Sequence, residues 1–394
     1  MILFEIMLGV ICGFIIGLIP NMHLNTISYI FLLVGFYNLI YSNSFFFISL
    51  AISQTITSYI PTTIFGIPTS ESVMHLFPLQ KLALEGRAKA GIYFCLVGSF
   101  FGGIIALFFL PFLYFLFAIL FNFNIFIYGC IIFILFLFIF QEKDIKTKLV
   151  VMSIIIFSGT IGILTLKFNY FIKEPLVVCF AGLFAIPFLI ESIFRNSPFV
   201  KQRVGDNIFD FKSSLIDSVL GAVGALFLII IPSFSSSQAS LFISKIKAEI
   251  TPEQYLIIYS SVVMCSIIFS FFLAIYFFKP RIGYVAILLS QNIVSINLSL
   301  VYFIITIILS VGGSILLVGF TYENIIDLMS KFNVRAINMI VLGFIIFIVI
   351  LISGIEVIPL LFLCAGIGFL PILFNINRII LLSYIMMPTL LFYI

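Results

Sequence analysis

Residues 9–28, GVICGFIIGLIPNMHLNTIS, join a glycine-containing apolar run to a proline and then to a cluster of small polar side chains. They lie inside residues 6–70, a stretch that contains no Asp, Glu, Lys or Arg. Residues 90–141 and 282–322 are charge-free in the same way. Each stretch exceeds the roughly 20 apolar residues that cross a bilayer as one helix. The chain is therefore predicted to span a membrane several times.

Composition supports this prediction and excludes two other classes of protein. Of 394 residues, 63% are hydrophobic and 9% are charged, whereas a soluble domain carries about 25% charge. The net charge is only +4 and no block of Lys and Arg occurs, so a nucleic-acid partner is excluded. Because lipid offers no partner to backbone N–H and C=O groups, every span should be helical. We expect an all-α polytopic membrane protein with ten to thirteen spans, including spans at 91–120, 254–278 and 298–320.

Polar segments predict how the chain is organised. The most polar one, RNSPFVKQRVGDNIFDFK at residues 195–212, is predicted to be a linker between an N-terminal half, 1–194, and a C-terminal half, 213–394. Cytoplasmic loops carry an excess of Lys and Arg. The linker holds four such residues and residues 81–89 hold three, so both segments are predicted to face the cytoplasm.

The two halves resemble each other in one place. Residues 221–240, GAVGALFLIIIPSFSSSQAS, align with residues 9–28 when Pro232 is set against Pro20, which also sets Gly221 against Gly9. Duplicated halves with interrupted helices at corresponding positions are typical of transporter folds. Chance similarity between two apolar stretches is the alternative.

The polar clusters after the two prolines are the candidate binding site. Proline ends the preceding helical ladder, and Asn, Ser and Thr are preferred at helix N-caps. The N–H groups of a broken helix attract anions without a full positive charge. The alternative is a pair of ordinary interfacial loops. The candidate ligands are His23, Asn25, Thr26, Thr62, Thr63, Ser235, Ser236, Ser237 and Gln238, and the candidate helix-breaking residues are Pro20, Asn21, Pro61, Gly66, Pro68 and Pro232.

Ionisable residues inside the apolar stretches are few. Glu71 and His75 have helical spacing and are candidates for coupling binding to Na⁺ or H⁺. The alternative is that both side chains are simply solvated at the membrane edge. Asp217 and Arg378 lie near predicted span ends, where their side chains are expected to reach the interface. The six cysteines have no CxxC spacing and the two histidines lie away from them, so no metal site is predicted. The sequence also shows no nucleophile–base constellation, so we expect that the protein is not an enzyme.

These motifs resemble the large permease subunit of the tripartite tricarboxylate transporters (TctA), and its archaeal stand-alone branch in particular. The matching segments are GLIPNMHLNT at 17–26, IFGIPTSESVMHLFPLQKLALEGRAKAG at 64–91, IPSFSSSQAS at 231–240 and GFLPILFNINRIILLSYIMMPTLL at 368–391. The family's Pro-Gly pairs are Pro20-Asn21 and Pro232-Ser233 here, and serine tolerates positive φ much less well than glycine.

The resemblance implies ion-driven uptake of a solute across the cytoplasmic membrane. Bacterial members work with a small membrane subunit and an extracytoplasmic binding protein, neither of which this chain encodes. We therefore expect a secondary-active permease, surrounded by lipid and able to form a homo-oligomer, that carries a small organic anion such as a di- or tricarboxylate by alternating access. Three alternatives stay open: a carrier of a lipid-linked phosphate such as a polyprenyl phosphate, a membrane enzyme using Glu71 and His75, and a non-transporting scaffold.

Overall fold

The computed structural model describes most of the chain. Its described residues are 2–19, 24, 27, 43–65, 73–120, 124–140, 142, 144–166, 174–195, 202, 210–230, 235–247, 249–290, 299–329, 331 and 334–392. Every regular element in these ranges is a helix, and eight helices are long and apolar enough to cross a membrane. Three shorter apolar helices accompany them. The predicted all-helical membrane fold is confirmed, while the total of ten to thirteen spans stays a prediction.

The described residues form sixteen α-helices. They are α1 (Ile2–Gly17), α2 (Asn43–Phe65), α3 (Val73–Leu84), α4 (Ala88–Leu120), α5 (Asn124–Phe140), α6 (Ile145–Leu166), α7 (Pro175–Phe180), α8 (Ile186–Arg195), α9 (Phe211–Ile230), α10 (Ser236–Ser244), α11 (Pro252–Phe277), α12 (Gly283–Ser290), α13 (Leu300–Met329), α14 (Val334–Ser353), α15 (Ile358–Leu373) and α16 (Ser383–Phe392). A π-helical turn joins α7 to α8, and short 3₁₀ turns precede α15 and α16.

The outer surface of these helices is apolar. Phe108 on α4 and Phe320 on α13 are each 80% exposed, and many Leu, Ile and Phe side chains share this position. A large contiguous apolar surface is unfavourable in water. Lipid removes that cost, so the exposed side chains match the predicted environment.

The chain forms two compact units. One contains residues 1–119, 198–229 and 236–333, and the other contains 120–197, 230–235 and 334–394. Each unit therefore draws on residues from both sides of the 195–212 segment. The predicted division at that segment concerns internal homology rather than packing, and it stays a prediction.

Helix α11 is the central helix of the first unit. Thr251 caps its first turn by accepting a hydrogen bond from the Gln254 N–H at 3.3 Å, while the Gln254 side chain accepts one from the Thr251 N–H at 3.1 Å. Pro252 occupies the first helical turn, where its missing N–H costs nothing. The helix ends at Phe278, whose φ of 56° is left-handed. Almost every residue between these ends is buried.

Glycines allow α1 to pack directly on the backbone of α2. A Cβ atom at Gly9, Gly13 or Gly17 would lie 2.5–2.7 Å from a carbonyl oxygen of α2. Glycine at every fourth position lets two helices approach closely enough for such contact. The Ser53 hydroxyl donates to the Val10 carbonyl oxygen at 2.7 Å, which adds a polar bond between the two helices. The glycine stripe therefore determines which face of α1 meets α2.

Helices α9 and α11 make the same contact. The Ser261 hydroxyl donates to the Ser218 carbonyl oxygen at 2.7 Å, and this bond, like the Ser53–Val10 bond, joins residues 43 positions apart. A Cβ atom at Gly221 would lie 2.7 Å from the Ile258 carbonyl oxygen. This recurrence supports the predicted repeat without establishing it. The hydrogen bonds set Ser218 against Val10, whereas aligning Pro232 with Pro20 sets residue 222 against Val10. The two registers therefore differ by about one helical turn.

Contacts between residues far apart in the chain stabilise the second unit. Helix α16 packs on α6, where the hydroxyls of Ser158 and Ser383 hydrogen-bond to each other. Helix α8 is held by Arg378, which pairs with Glu191 and stacks over the Phe188 ring at 4.9 Å. The Glu191 carboxylate compensates the charge of Arg378 within the unit, while the expectation that Arg378 reaches the interface stays a prediction.

Candidate functional site

Helices α9 and α10 form a hairpin in the first unit. A Cβ atom at Gly224 would lie 3.2 Å from the Ile243 side chain and 3.7 Å from the Ala239 carbonyl oxygen, so the two helices pack closely. Lys247, just after α10, forms an ion pair with Asp217 near the start of α9. The end of α10 thus returns to the level at which α9 begins. The predicted helix break at Pro232 lies outside the described residues and stays a prediction, whereas the return of α10 along α9 is seen in the structure.

One end of the hairpin is strongly polar. The Ser213 hydroxyl donates to the Asp217 carboxylate at 3.4 Å, and the Gln254 amide donates to Ser213 at 3.2 Å. Asp217 was expected to extend its side chain to the interface, but that side chain is 0% exposed and the Lys247 ammonium group supplies its partner inside the unit. The ion pair therefore holds the two arms of the hairpin together.

The turn between α3 and α4 lies at this same polar end. Arg87 pairs with Glu253 at 3.0 Å, next to Gln254, and Lys89 pairs with Glu323 at 3.5 Å. Gln202 bridges the turn: it accepts a hydrogen bond from the Ala88 N–H at 2.8 Å and donates to the Ala83 carbonyl oxygen at 3.1 Å. The linker and the basic turn, both predicted to be cytoplasmic, therefore meet.

The opposite end of α10 carries the predicted Ser-Ser-Ser-Gln motif. Ser236 is 3% exposed and Ser237 is 1% exposed, and Ser235 directly before them is also buried. The Ser240 hydroxyl donates to the Ser236 carbonyl oxygen at 2.6 Å, which reinforces the first turn. The first N–H groups of a helix have no partner within it and carry positive partial charge. Buried hydroxyls and polarised N–H groups thus share the start of α10.

The Thr62 and Thr63 hydroxyls lie in the C-terminal part of α2. They donate to the carbonyl oxygens of Ser58 and Tyr59 at 2.7 and 2.6 Å, so both hydroxyls bond to their own helix. Pro61 was expected to break this helix, but α2 continues through it to Phe65. Membrane helices tolerate proline when nearby hydroxyls and neighbouring helices replace the lost bond. Pro61 is therefore an interior proline rather than a helix end.

Helix α3 connects these two regions. It packs against α2, α10 and α11, so it lies between the helix of Thr62 and Thr63 and the helix of the serine motif. His75 lies on α3, and its side chain is outside the described residues. Helix α3 ends at Leu84 and is followed by a turn at Gly86, whose φ of 79° is left-handed; the Arg87 N–H closes the turn by donating to the Leu82 carbonyl oxygen at 2.6 Å.

Several predicted site residues cannot be placed. Those outside the described residues are Pro20, Asn21, His23, Asn25, Thr26, Gly66, Pro68, Glu71 and Pro232. Their roles, and the predicted meeting of the two proline-containing segments, stay predictions. Within the described ranges, no group of three or more His, Cys, Asp or Glu side chains gathers at one point.

Sequence reasoning missed one polar side chain near these elements. The Thr57 hydroxyl on α2 is fully buried and has no hydrogen-bond partner among the described residues. Thr57 lies four residues before Pro61, which cannot donate a backbone hydrogen bond to the Thr57 carbonyl oxygen. This spacing is the sequence signal that could have identified residue 57.

Comparison with known proteins gives two matches. The family model described as the tripartite tricarboxylate transporter TctA family matches residues 3–383. An uncharacterized protein of Methanocaldococcus jannaschii is 27% identical over 403 residues, which cover 100% of this chain and 99% of that relative. No solved structure matches the chain.

Proposed function

Because the chain belongs to the tripartite tricarboxylate transporter TctA family, we propose that it is a secondary-active permease for a small di- or tricarboxylate. It would work by alternating access, with the substrate bound at the start of α10. The observation that carries this proposal is the burial of the Ser236 and Ser237 side chains at the N-terminal end of that helix.

The chemistry of this helix end suits a carboxylate. Partial positive charge and hydroxyl donors can bind an anionic oxygen, while the lack of a full countercharge keeps binding weak enough for release. Ser235, Ser237 and Gln238 are the other proposed ligands on this side. His23, Asn25, Thr26, Thr62 and Thr63 are proposed as ligands from the N-terminal half.

The depth of the helix end also supports the proposal. Helix α10 has nine residues and therefore rises about 14 Å from Ser244 to Ser236. Its C-terminal end lies at the polar end of the hairpin, beside the Asp217–Lys247 pair. The first residue of α10, about 14 Å from that level, would lie near the middle of a hydrocarbon core about 30 Å thick. Transporter sites commonly occupy this depth.

The remaining parts of the transport cycle follow from the family. Uptake would be coupled to Na⁺ or H⁺, with Glu71 and His75 as proposed contributors. The family name refers to a three-part assembly, so a small membrane subunit and an extracytoplasmic binding protein are proposed partners. The cytoplasmic membrane is the proposed location.

Citrate is expected to raise the thermal unfolding temperature of the purified full-length chain, and Ser236→Ala should reduce this shift. A hydrogen bond to a charged group contributes about 1.5–3 kcal/mol, so we expect affinity for citrate to fall about 10- to 100-fold. The measurement is the unfolding temperature in detergent across a citrate titration, because a ligand of the folded state stabilises it by mass action.

Ser244→Ala is the matched control. Ser244 lies at the other end of α10 and its hydroxyl donates to the Leu241 carbonyl oxygen at 2.9 Å, so this variant should keep the full citrate shift. Equal shifts in the wild type and in Ser236→Ala would refute the proposed site. A shift produced by a polyprenyl phosphate and by no di- or tricarboxylate would refute the proposed substrate class.

A further inference from the structure

The Thr57 hydroxyl is an exception among the threonines of α2. Thr55, Thr62 and Thr63 each donate to the carbonyl oxygen four residues earlier, at 2.6–2.8 Å. Thr57 has the same opportunity, but its hydroxyl is buried and has no hydrogen-bond partner in the part of the chain that the structure describes. Leaving a buried hydroxyl unsatisfied is unfavourable, and a bound water or ion is one explanation for such a group in a native protein.

Pro61 also removes the usual backbone donor to the Thr57 carbonyl oxygen. Pro61 lies inside α2 four residues later and has no N–H to donate to the Thr57 carbonyl oxygen. The proline ring also pushes against that carbonyl. Residue 57 therefore offers two oxygen atoms, one from its side chain and one from its backbone, at the same level of the helix.

The end of α1 packs on this residue. A Cβ atom at Gly17 would lie 2.7 Å from the Thr57 Cβ atom, so the last turn of α1 is in direct contact with Thr57. The Leu18 N–H donates to the carbonyls of Phe14 and Ile15, and the Ile19 N–H donates to the carbonyl of Ile16. No N–H in the described ranges donates to the Gly17 carbonyl oxygen. The carbonyl end of a helix carries negative partial charge.

We propose that a monovalent cation, with Na⁺ as the best-suited ion, binds where α1 ends against Thr57. Its ligands are the Thr57 hydroxyl, the Thr57 carbonyl oxygen and the terminal carbonyl oxygens of α1. Neutral oxygens suit a monovalent ion, because Ca²⁺ and Mg²⁺ sites ordinarily include carboxylates. Helix ends and freed carbonyls are the groups with which transporters coordinate Na⁺. The role of this ion in driving uptake rests on the proposed permease function, whereas its binding does not.

The test is a thermal unfolding titration of the purified full-length chain with NaCl, LiCl and KCl, with choline chloride keeping the ionic strength constant. We expect NaCl to raise the unfolding temperature relative to choline chloride. Thr57→Val keeps the branched shape and removes the hydroxyl, and it should weaken Na⁺ binding more than about tenfold. Thr57→Ser should retain the response.

Two further variants keep the proposal testable if Thr57→Val does not fold. Pro61→Ala restores the donor to the Thr57 carbonyl and should weaken the Na⁺ response while the helix itself gains stability. Thr55→Val, which removes a satisfied hydroxyl from the same helix, is the control and should respond to Na⁺ as the wild type does.

Two outcomes would overturn the site: a wild-type protein that none of the three alkali cations stabilises beyond choline, or full Na⁺ responses in both Thr57→Val and Pro61→Ala. A citrate response that is absent while the Na⁺ response is intact would contradict the proposed permease function and leave the cation site standing.

Discussion

Gly13→Ala is expected to destabilise the first unit severely, and Gly13→Leu should prevent α1 from docking at all. The Cβ atom that alanine introduces would lie 2.5 Å from the Leu50 carbonyl oxygen and 2.7 Å from the Ser53 Cβ atom. Both neighbours belong to the main body of α2 and cannot rotate away as a flexible side chain would. Overpacking costs about 1–3 kcal/mol in general, and contact with a backbone atom places Gly13→Ala at the top of that range.

Gly312→Ala is the matched control for this prediction. Gly312 lies within α13, and no atom lies within 4 Å of the position its Cβ would take. Alanine there should leave stability unchanged or raise it by about 0.5–1 kcal/mol, because glycine is a poor helix former. The measurement is the fraction of monodisperse protein that remains after heating in detergent. Equal losses in Gly13→Ala and Gly312→Ala would contradict the close approach of α1 and α2.

The largest electrostatic effect is expected for Lys247→Met. This change leaves the Asp217 carboxylate, which is fully buried, without its cation. Breaking a buried ion pair from one side costs about 3–5 kcal/mol, because the remaining charge is uncompensated. Asp217→Asn should cost less, since the Lys247 side chain is 25% exposed and its ammonium group can move towards solvent.

The double variant Asp217→Asn/Lys247→Met completes a mutant cycle. It removes both charges and should recover most of the stability lost in Lys247→Met, because replacing a whole buried pair with neutral groups is often neutral. Thermal unfolding of the four proteins in one detergent gives the coupling between the two sites. If the two single variants lose the same stability, or the double variant loses the sum of their losses, Lys247 is not the partner that makes burial of Asp217 tolerable.

The long helices were predictable because their signal is local. The predicted span at 91–120 corresponds to α4, Ala88–Leu120, and the span at 254–278 corresponds to α11, Pro252–Phe277. The span at 298–320 was placed too short, since α13 continues to Met329. The extra turns contain Glu323 and Asp327, and both carboxylates pair with Lys89 on α4. Apolarity alone could not place the end of a helix that continues beyond its apolar run.

The candidate site was predictable only in part. The composition of the Ser-Ser-Ser-Gln motif indicated a helix start, and α10 begins at Ser236. Nothing local indicated that α10 folds back along α9, because that depends on the Gly224 contact and on the pairing of Lys247 with Asp217. The interpretation of Pro61 as a helix break was wrong for the same reason: proline removes a bond locally, while the surrounding helices decide whether the chain continues.

The amino-acid sequence by itself determined that this protein is helical and embedded in a membrane, because the backbone N–H and C=O groups of each charge-free stretch must hydrogen-bond to each other in lipid. It also determined the family, since the motifs that carry the resemblance are short and contiguous. Only the tertiary structure decided which polar groups meet: Asp217 with Lys247, Glu191 with Arg378, and the end of α1 with Thr57. These contacts join residues distant in the chain, so tertiary packing decides them and no local sequence pattern could specify them.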